Sequence, residues 1–250
     1  MSGHSHWARI KRKKAVTDAR RGTAWSKLAR NVTVAARIGG GDPDMNPRLR
    51  LAIDKARAAN MTRDTIEKAI KKGSGELEGE TFEELVYEGY GPAGVAILCQ
   101  AATDNRNRTA PEIKKIFERH GGKLGATNCV AWMFSQKGIV NVPVSVTDED
   151  TLLEVVLEAG AEDVKTQGDV FEVTCEVGAL SDVQNALKGR EIPIDSTDIS
   201  MVPASTIPVA AGEAKKLIAL LEELDEHDDV ESVSDNSDIP EEIMAQLVKD

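Results

Sequence analysis

A chain of 250 residues that is 41% hydrophobic has material for two or three small cores, which excludes disorder throughout. Aromatics at 4% argue against a stacking platform for single-stranded bases as the main binding device. The net charge of -11 hides a split: residues 1–75 hold 18 Lys/Arg against 6 acids (+12), and the rest holds 13 against 36 (-23), so two surfaces with different partners are expected.

Residues 1–16 show no hydrophobic periodicity and read as a mobile arm. Helix is predicted from Thr17, a suitable N-cap, with Asp18 in its first turn. Trp25, Leu28, Ala29, Val32, Ala35 and Ala36 then recur at three- and four-residue intervals, forming one apolar stripe that Gly39-Gly40-Gly41 ends. Asn46 before Pro47 reads as N-cap and first helical residue, with Leu49, Ala52, Ile53 and Ala56 inward. Thr62 opens a third helix that buries Ile66, Ala69 and Ile70 and stops at Gly73. Three helices in one small domain follow.

Residues 73–80 read as a flexible linker, after which the period changes. Strands are predicted over 83–90 and 94–102, joined through Gly91-Pro92-Ala93-Gly94. Thr109-Ala110-Pro111-Glu112 has the form of a capping box with proline in the first turn, and Ile113, Ile116 and Phe117 follow at helical spacing. Beyond it come strands 129–136 and 139–144 about a Lys137-Gly138 turn, a helix near 148–159, and strands 162–166 and 170–177 across Gln167-Gly168-Asp169. A helix near 181–188, a strand near 192–202, a helix over 213–224 and a short strand from Val230 to Val233 complete the chain. Mixed elements with frequent hairpins predict an α+β class with antiparallel sheets.

Cys99, Cys129 and Cys175 are widely spaced, odd in number and each within an apolar run. They are read as buried structural thiols in a reducing compartment, neither a disulfide framework nor a zinc site. No apolar run approaches the ~18 residues that span a bilayer, and the first residues lack a secretion signal, so a cytoplasmic protein without membrane contact is expected. Lys11 to Lys14 is a solid basic block, unlike the alternating pattern of an organellar leader.

The candidate chemistry is concentrated at the N-terminus. Arg9, Lys11, Arg12, Lys13, Lys14, Arg20, Arg21, Lys27, Arg30 and Arg37 accompany a single acid in the first forty residues. Solvated faces ordinarily mix signs, whereas clustered cations displace the counterions condensed on a polyanion, so phosphate contact is predicted. Such contacts carry no sequence information and do not separate DNA from RNA. His4 and His6 lack a third metal ligand nearby and, beside Trp7, read as phosphate donors or stacking partners. Arg106 and Arg108 lie in the polar run Thr103-Asp104-Asn105-Arg106-Asn107-Arg108-Thr109, at a strand-to-helix junction where they could hold a phosphate. Gly89-Tyr90-Gly91-Pro92-Ala93-Gly94 has the spacing of a dinucleotide fingerprint, but strand-like Val95 to Cys99 follows where a helix is required, so a hairpin is expected and no cofactor. The acidic run Glu222, Glu223, Asp225, Glu226, Asp228, Asp229 and Glu231 reads as a solvated face or as a docking surface for a basic protein. No nucleophile–histidine or carboxylate–histidine arrangement is recognisable, so a non-enzyme without metal is expected.

Several segments in order resemble one family: Gly3-His4-Ser5-His6-Trp7, Gly39-Gly40-Gly41-Asp42-Pro43 through Asn46-Pro47-Arg48-Leu49-Arg50, and Asn60-Met61-Thr62-Arg63-Asp64. Tyr87-Glu88-Gly89-Tyr90-Gly91-Pro92, Asp104-Asn105-Arg106-Asn107-Arg108-Thr109 and Phe134-Ser135-Gln136-Lys137-Gly138 follow. Over nearly its whole length the chain resembles the YebC/PmpR family. The resemblance implies a basic helical domain (1–78), an α+β domain II (79–128 with 204–250) and an inserted α+β domain III (129–203), arranged around a cleft. It also implies a bacterial cytoplasmic protein without a cleaved leader. The family's customary function implies a DNA-binding transcriptional regulator, and its mitochondrial and bacterial relatives imply the alternative of a ribosome-associated, RNA-binding translation activator, acting also at proline-rich stretches. An RNA-processing enzyme centred on Asp104 and a protein-interaction adaptor are the remaining alternatives.

Overall fold

The computed structural model describes residues 21–78, 82–240 and 243. Their contacts divide the chain into two compact units, one of residues 133–205 and one containing residues 6–132 with 206–250. The predicted start at Thr17 lies outside the described residues.

The second unit opens with three helices: α1 (Arg21–Gly39), α2 (Pro47–Ala58) and α3 (Arg63–Gly73). The caps of α2 and α3 form at Asn46 and Thr62 as expected. The Asn46 side chain accepts from the Leu49 N–H with Pro47 at the first position, and Thr62 accepts from Thr65. The apolar stripes close one core of Val32, Ala35, Ala36, Leu49, Ile53, Ala56, Met61, Ile66 and Ala69, with Trp25, Leu28 and Ala29 at its edge. Gly73 does more than end a helix. A Cβ there would stand 2.2 Å from the Thr33 carbonyl oxygen, so the missing side chain lets α3 close on α1.

The same unit continues as a sheet ordered β3-β1-β2-β9, built from β1 (Glu83–Tyr90), β2 (Ala96–Thr103), β3 (Lys123–Leu124) and β9 (Val230–Asp235). All its pairings are antiparallel. Helices α4 (Arg106–Arg119) and α7 (Ala211–Glu226) cover one face, burying Ile113, Phe117, Leu217, Leu220 and Leu224 against Ile97, Cys99 and Ala101. Short β8 (Ile207–Pro208) and β10 (Ser237–Asp238) pair in parallel, an exception to the antiparallel expectation. The segment between β1 and β2 is a turn of 3-10 helix over Pro92–Gly94, a hairpin connection in place of a phosphate-binding loop.

Residues 133–205 place β4 (Phe134–Pro143), α5 (Glu149–Glu158), β5 (Ala161–Gln167), β6 (Val170–Cys175), α6 (Leu180–Gly189) and β7 (Ser196–Pro203) in that order. The sheet runs β5-β6-β4-β7, antiparallel throughout, which is the ferredoxin-like split βαβ arrangement.

Three expectations fail locally. Lys137-Gly138 is no turn: β4 runs through it, pairing Gly138 with Cys175 on one side and Ile199 on the other. A Cβ on Gly138 would meet Leu180 at 2.9 Å and the Cys175 sulfur at 3.0 Å, so this glycine serves close packing. The strand expected from residue 129 begins only at Phe134. Helix α4 starts one turn before the Thr109 box, because Asn105 already accepts from the Arg108 N–H; Pro111 therefore falls inside the helix and Thr109 is buried. Of the cysteines, Cys99 and Cys175 are buried as expected, whereas Cys129 is half-buried.

Candidate nucleic-acid interface

The basic helix and the acidic run, read from sequence as separate surfaces, meet each other. Helix α7 ends at Glu226, where its dipole is negative and the Leu224 carbonyl accepts from the His227 N–H. Lys27 of α1 donates its Nζ to the carbonyl oxygens of Asp225 and, at 3.5 Å, His227. One turn on, Arg30 donates to the Asp228 carbonyl and to the Asp229 carboxylate at 3.0 Å. Its guanidinium also stacks 5.0 Å from the Phe82 ring centroid. Arg37 donates to the Phe82 carbonyl at 3.1 Å.

Asp229 is the hub of this contact. Its side chain is 2% exposed, yet both oxygens are filled. Oδ1 accepts from Arg30; Oδ2 accepts from Arg108 at 2.7 Å, Thr103 at 3.0 Å and Thr109 at 2.6 Å. Burial alone pushes this carboxyl up, but the hydrogen bonds from Thr109, Arg108 and Thr103 and the charge of Arg30 prevail and hold it below the usual carboxylate range. Thr109 is displaced from its expected capping role because it serves Asp229. Arg108 also pairs with Asp104 at 3.0 Å, whereas Arg106 is exposed.

Further along the run, Glu231 takes Arg48 of α2 at 3.2 Å, and Arg48 also binds Glu84. Burial pushes the Glu231 carboxyl up, against the pull of Arg48. Glu223 binds Arg119 and His120. Burial opposes its charge, but the His120 bond and the Arg119 charge bring this carboxyl down. Within the acidic run, Glu223, Asp229 and Glu231 are thus engaged by the chain's own side chains; Glu226 and Asp228 are exposed.

His4, His6, Trp7, Arg9, Lys11, Arg12, Lys13, Lys14 and Arg20 lie outside the described residues, and of Arg21 only the helical backbone is described. Sequence reasoning missed a different set. Lys68, Lys71 and Lys72 on α3 are exposed, stand at i, i+3 and i+4 and so share a face, and carry no ion pair among the described residues. That spacing was legible in the sequence. Among the described residues no group of three or more His, Cys, Asp or Glu side chains is placed to hold a metal ion, and no helix is long and apolar enough to cross a membrane.

Residues 5–76 match the TACO1/YebC protein N-terminal domain, and residues 82–237 match the TACO1/YebC second and third domain. A protein of Desulfatibacillum aliphaticivorans, named a probable transcriptional regulatory protein, is 51% identical over 98% of this chain and its own full length. A protein of Aquifex aeolicus with the same name is 49% identical over 99% of this chain and all of its own. The crystal structure of a conserved hypothetical protein from Aquifex aeolicus superposes with a TM-score of 0.84 at 48% identity, covering 94% of this chain and 98% of that one. The three-helix start, the paired α+β sheets and these full-length matches agree: the chain belongs to the TACO1/YebC family.

Proposed function

We propose that this chain is a non-enzymatic regulator of gene expression that binds nucleic acid through phosphate contacts of its helical N-terminal domain. The observation that carries this is the division of labour among the cations. Lys27, Arg30, Arg37 and Arg48 are held by the chain's own oxygens, whereas Lys68, Lys71 and Lys72 share one exposed face. The N-terminal cations Arg9, Lys11, Arg12, Lys13, Lys14, Arg20 and Arg21 add to the same charge excess. The relatives' name, probable transcriptional regulatory protein, supports duplex DNA as the target. The -23 charge of the chain after residue 75 supports a second reading. Bare duplex repels that charge, whereas ribosomal RNA flanked by basic proteins accommodates it, as a translation factor in the cytoplasm requires.

The salt dependence of binding tests the proposal. Each phosphate contact contributes about 0.9 to the slope of log affinity against log salt on duplex DNA. The triple variant K68E/K71E/K72E flattens the slope by about 3 and weakens binding of any duplex to a similar degree. An unchanged slope removes α3 from the interface; the same comparison with K13E/K14E tests the N-terminal segment. Ribosome co-sedimentation set against promoter footprinting in one lysate separates the two targets.

A further inference from the structure

Loop residues 125–132, after β3, are held from beneath by a buried carboxylate. Glu88 of β1 is 3% exposed, and its oxygens accept from the backbone N–H groups of Asn128 (2.6 Å), Val130 (2.8 Å) and Ala131 (2.7 Å). The Glu88 carbonyl accepts from Gly125 at 2.7 Å, and Asn128 takes a left-handed φ of 65° that this tight path demands. Two aromatic side chains face outward here, Trp132 from the loop and Tyr90 from the end of β1. Trp132 is 75% exposed and Tyr90 41% exposed. Their polar ends converge on one acceptor, for the Trp132 Nε1 and the Tyr90 hydroxyl each donate to the Cys129 carbonyl at 3.2 Å.

Exposing a tryptophan this far forgoes the burial that such a side chain normally gains. Here its one donor is already satisfied, so the π face is what remains for a partner. The charge around it is specific. Residues 119–132 contain no acid, within a part of the chain that is otherwise strongly acidic; Arg119 is taken by Glu223, and exposed Lys123 stands opposite Tyr90 in the strand register.

We propose that Trp132 and Tyr90, fixed on the Cys129 carbonyl beside Lys123, form a stacking subsite for an unpaired nucleobase whose phosphate meets Lys123. The subsite rests on the nucleic-acid reading above and adds to it a preference for single-stranded or unstacked segments. A base offers a face to the rings and an anion to the lysine, a combination that a purely apolar partner lacks. With two rings it is one contact point, consistent with an aromatic content too low for an extended platform.

The test uses the full chain and fluorescein-labelled oligonucleotides of one sequence: single-stranded, duplex, and single-stranded with abasic sites. The expected result is that W132A weakens the single strand about tenfold, the range of one lost base stack, while W132F retains most of the affinity. Duplex binding and its salt slope stay unchanged, and the abasic strand loses its sensitivity to W132A. K123E weakens single-strand binding and flattens the slope by about 0.7, one single-strand phosphate contact. Equal single-strand affinity for wild type and W132A overturns the subsite, as does an equal loss on duplex. If wild type binds duplex and the K68E/K71E/K72E effect holds while W132A changes nothing, the phosphate reading stands and the subsite falls. If wild type binds no oligonucleotide, both fall. A concentration-dependent dimer abolished by W132A would assign the rings to self-association and likewise overturn it.

Discussion

Replacing Asp229 with asparagine tests the contact that fixes α1 on the acidic run. The carboxylate serves Arg30 through one oxygen and Arg108, Thr103 and Thr109 through the other. An amide has one acceptor, so Asp229→Asn leaves either Arg30 or the Arg108 side facing an N–H. Removing one partner of a buried ion pair costs about 3–5 kcal/mol. The side chains of Arg30 and Arg108 are 19% and 44% exposed, so water recovers part of their solvation and the lower end, about 3 kcal/mol, is expected. For a protein of this size that lowers the melting temperature by about 6–12 °C. Scanning calorimetry at pH 7 should show the loss in the transition of the unit that contains the helical domain. The transition of residues 133–205, which share none of these contacts, should hold. The pH dependence gives a second check. The native Asp229 carboxyl lies below the ordinary range, so its stabilisation is complete above the unfolded value near ~4 and is lost as pH falls through the depressed native value. The gap between wild type and variant therefore narrows below pH ~4. A shift under ~2 °C at pH 7, or equal shifts of both transitions, would refute the hub.

Other outcomes follow from the same geometry. Glu88→Gln exchanges a carboxylate bound by three backbone N–H groups for an amide with one acceptor, and should cost about 2–3 kcal/mol in chemical denaturation. Gly73→Ala sets a methyl against the Thr33 carbonyl and should cost about 1–3 kcal/mol, with separated α1 and α3 visible in a crystal structure of the variant. Burial pushes the Cys99 thiol up to about 12 and the Cys175 thiol up to about 11, so at pH 8 a thiol reagent should modify Cys129 alone in the native protein. Burial and Glu88 also raise Cys129, so its reaction should be slower than that of free cysteine and should quicken as pH rises. Rapid modification of all three thiols without unfolding would contradict the packing.

Short-range physics wrote much of this protein into its sequence. The Asn46-Pro47 and Thr62 caps, the stripe through Val32 and Ala36, and the Gly168 turn all act within a few residues, and each is found where the pattern placed it. Charge segregation was equally legible, but its meaning was not. Lys27 and Arg30 meet the 225–229 turn across nearly the whole chain, and only the folded backbone determines that one end of the charge gradient solvates part of the other. Gly138 shows the same limit in the core: beside lysine it reads as a turn, until Leu180 and Cys175 arrive from distant elements and require a residue without a side chain. Local sequence settles which conformations a segment prefers; whether a cation is offered to a partner or already bound depends on contacts made only after long loops have closed.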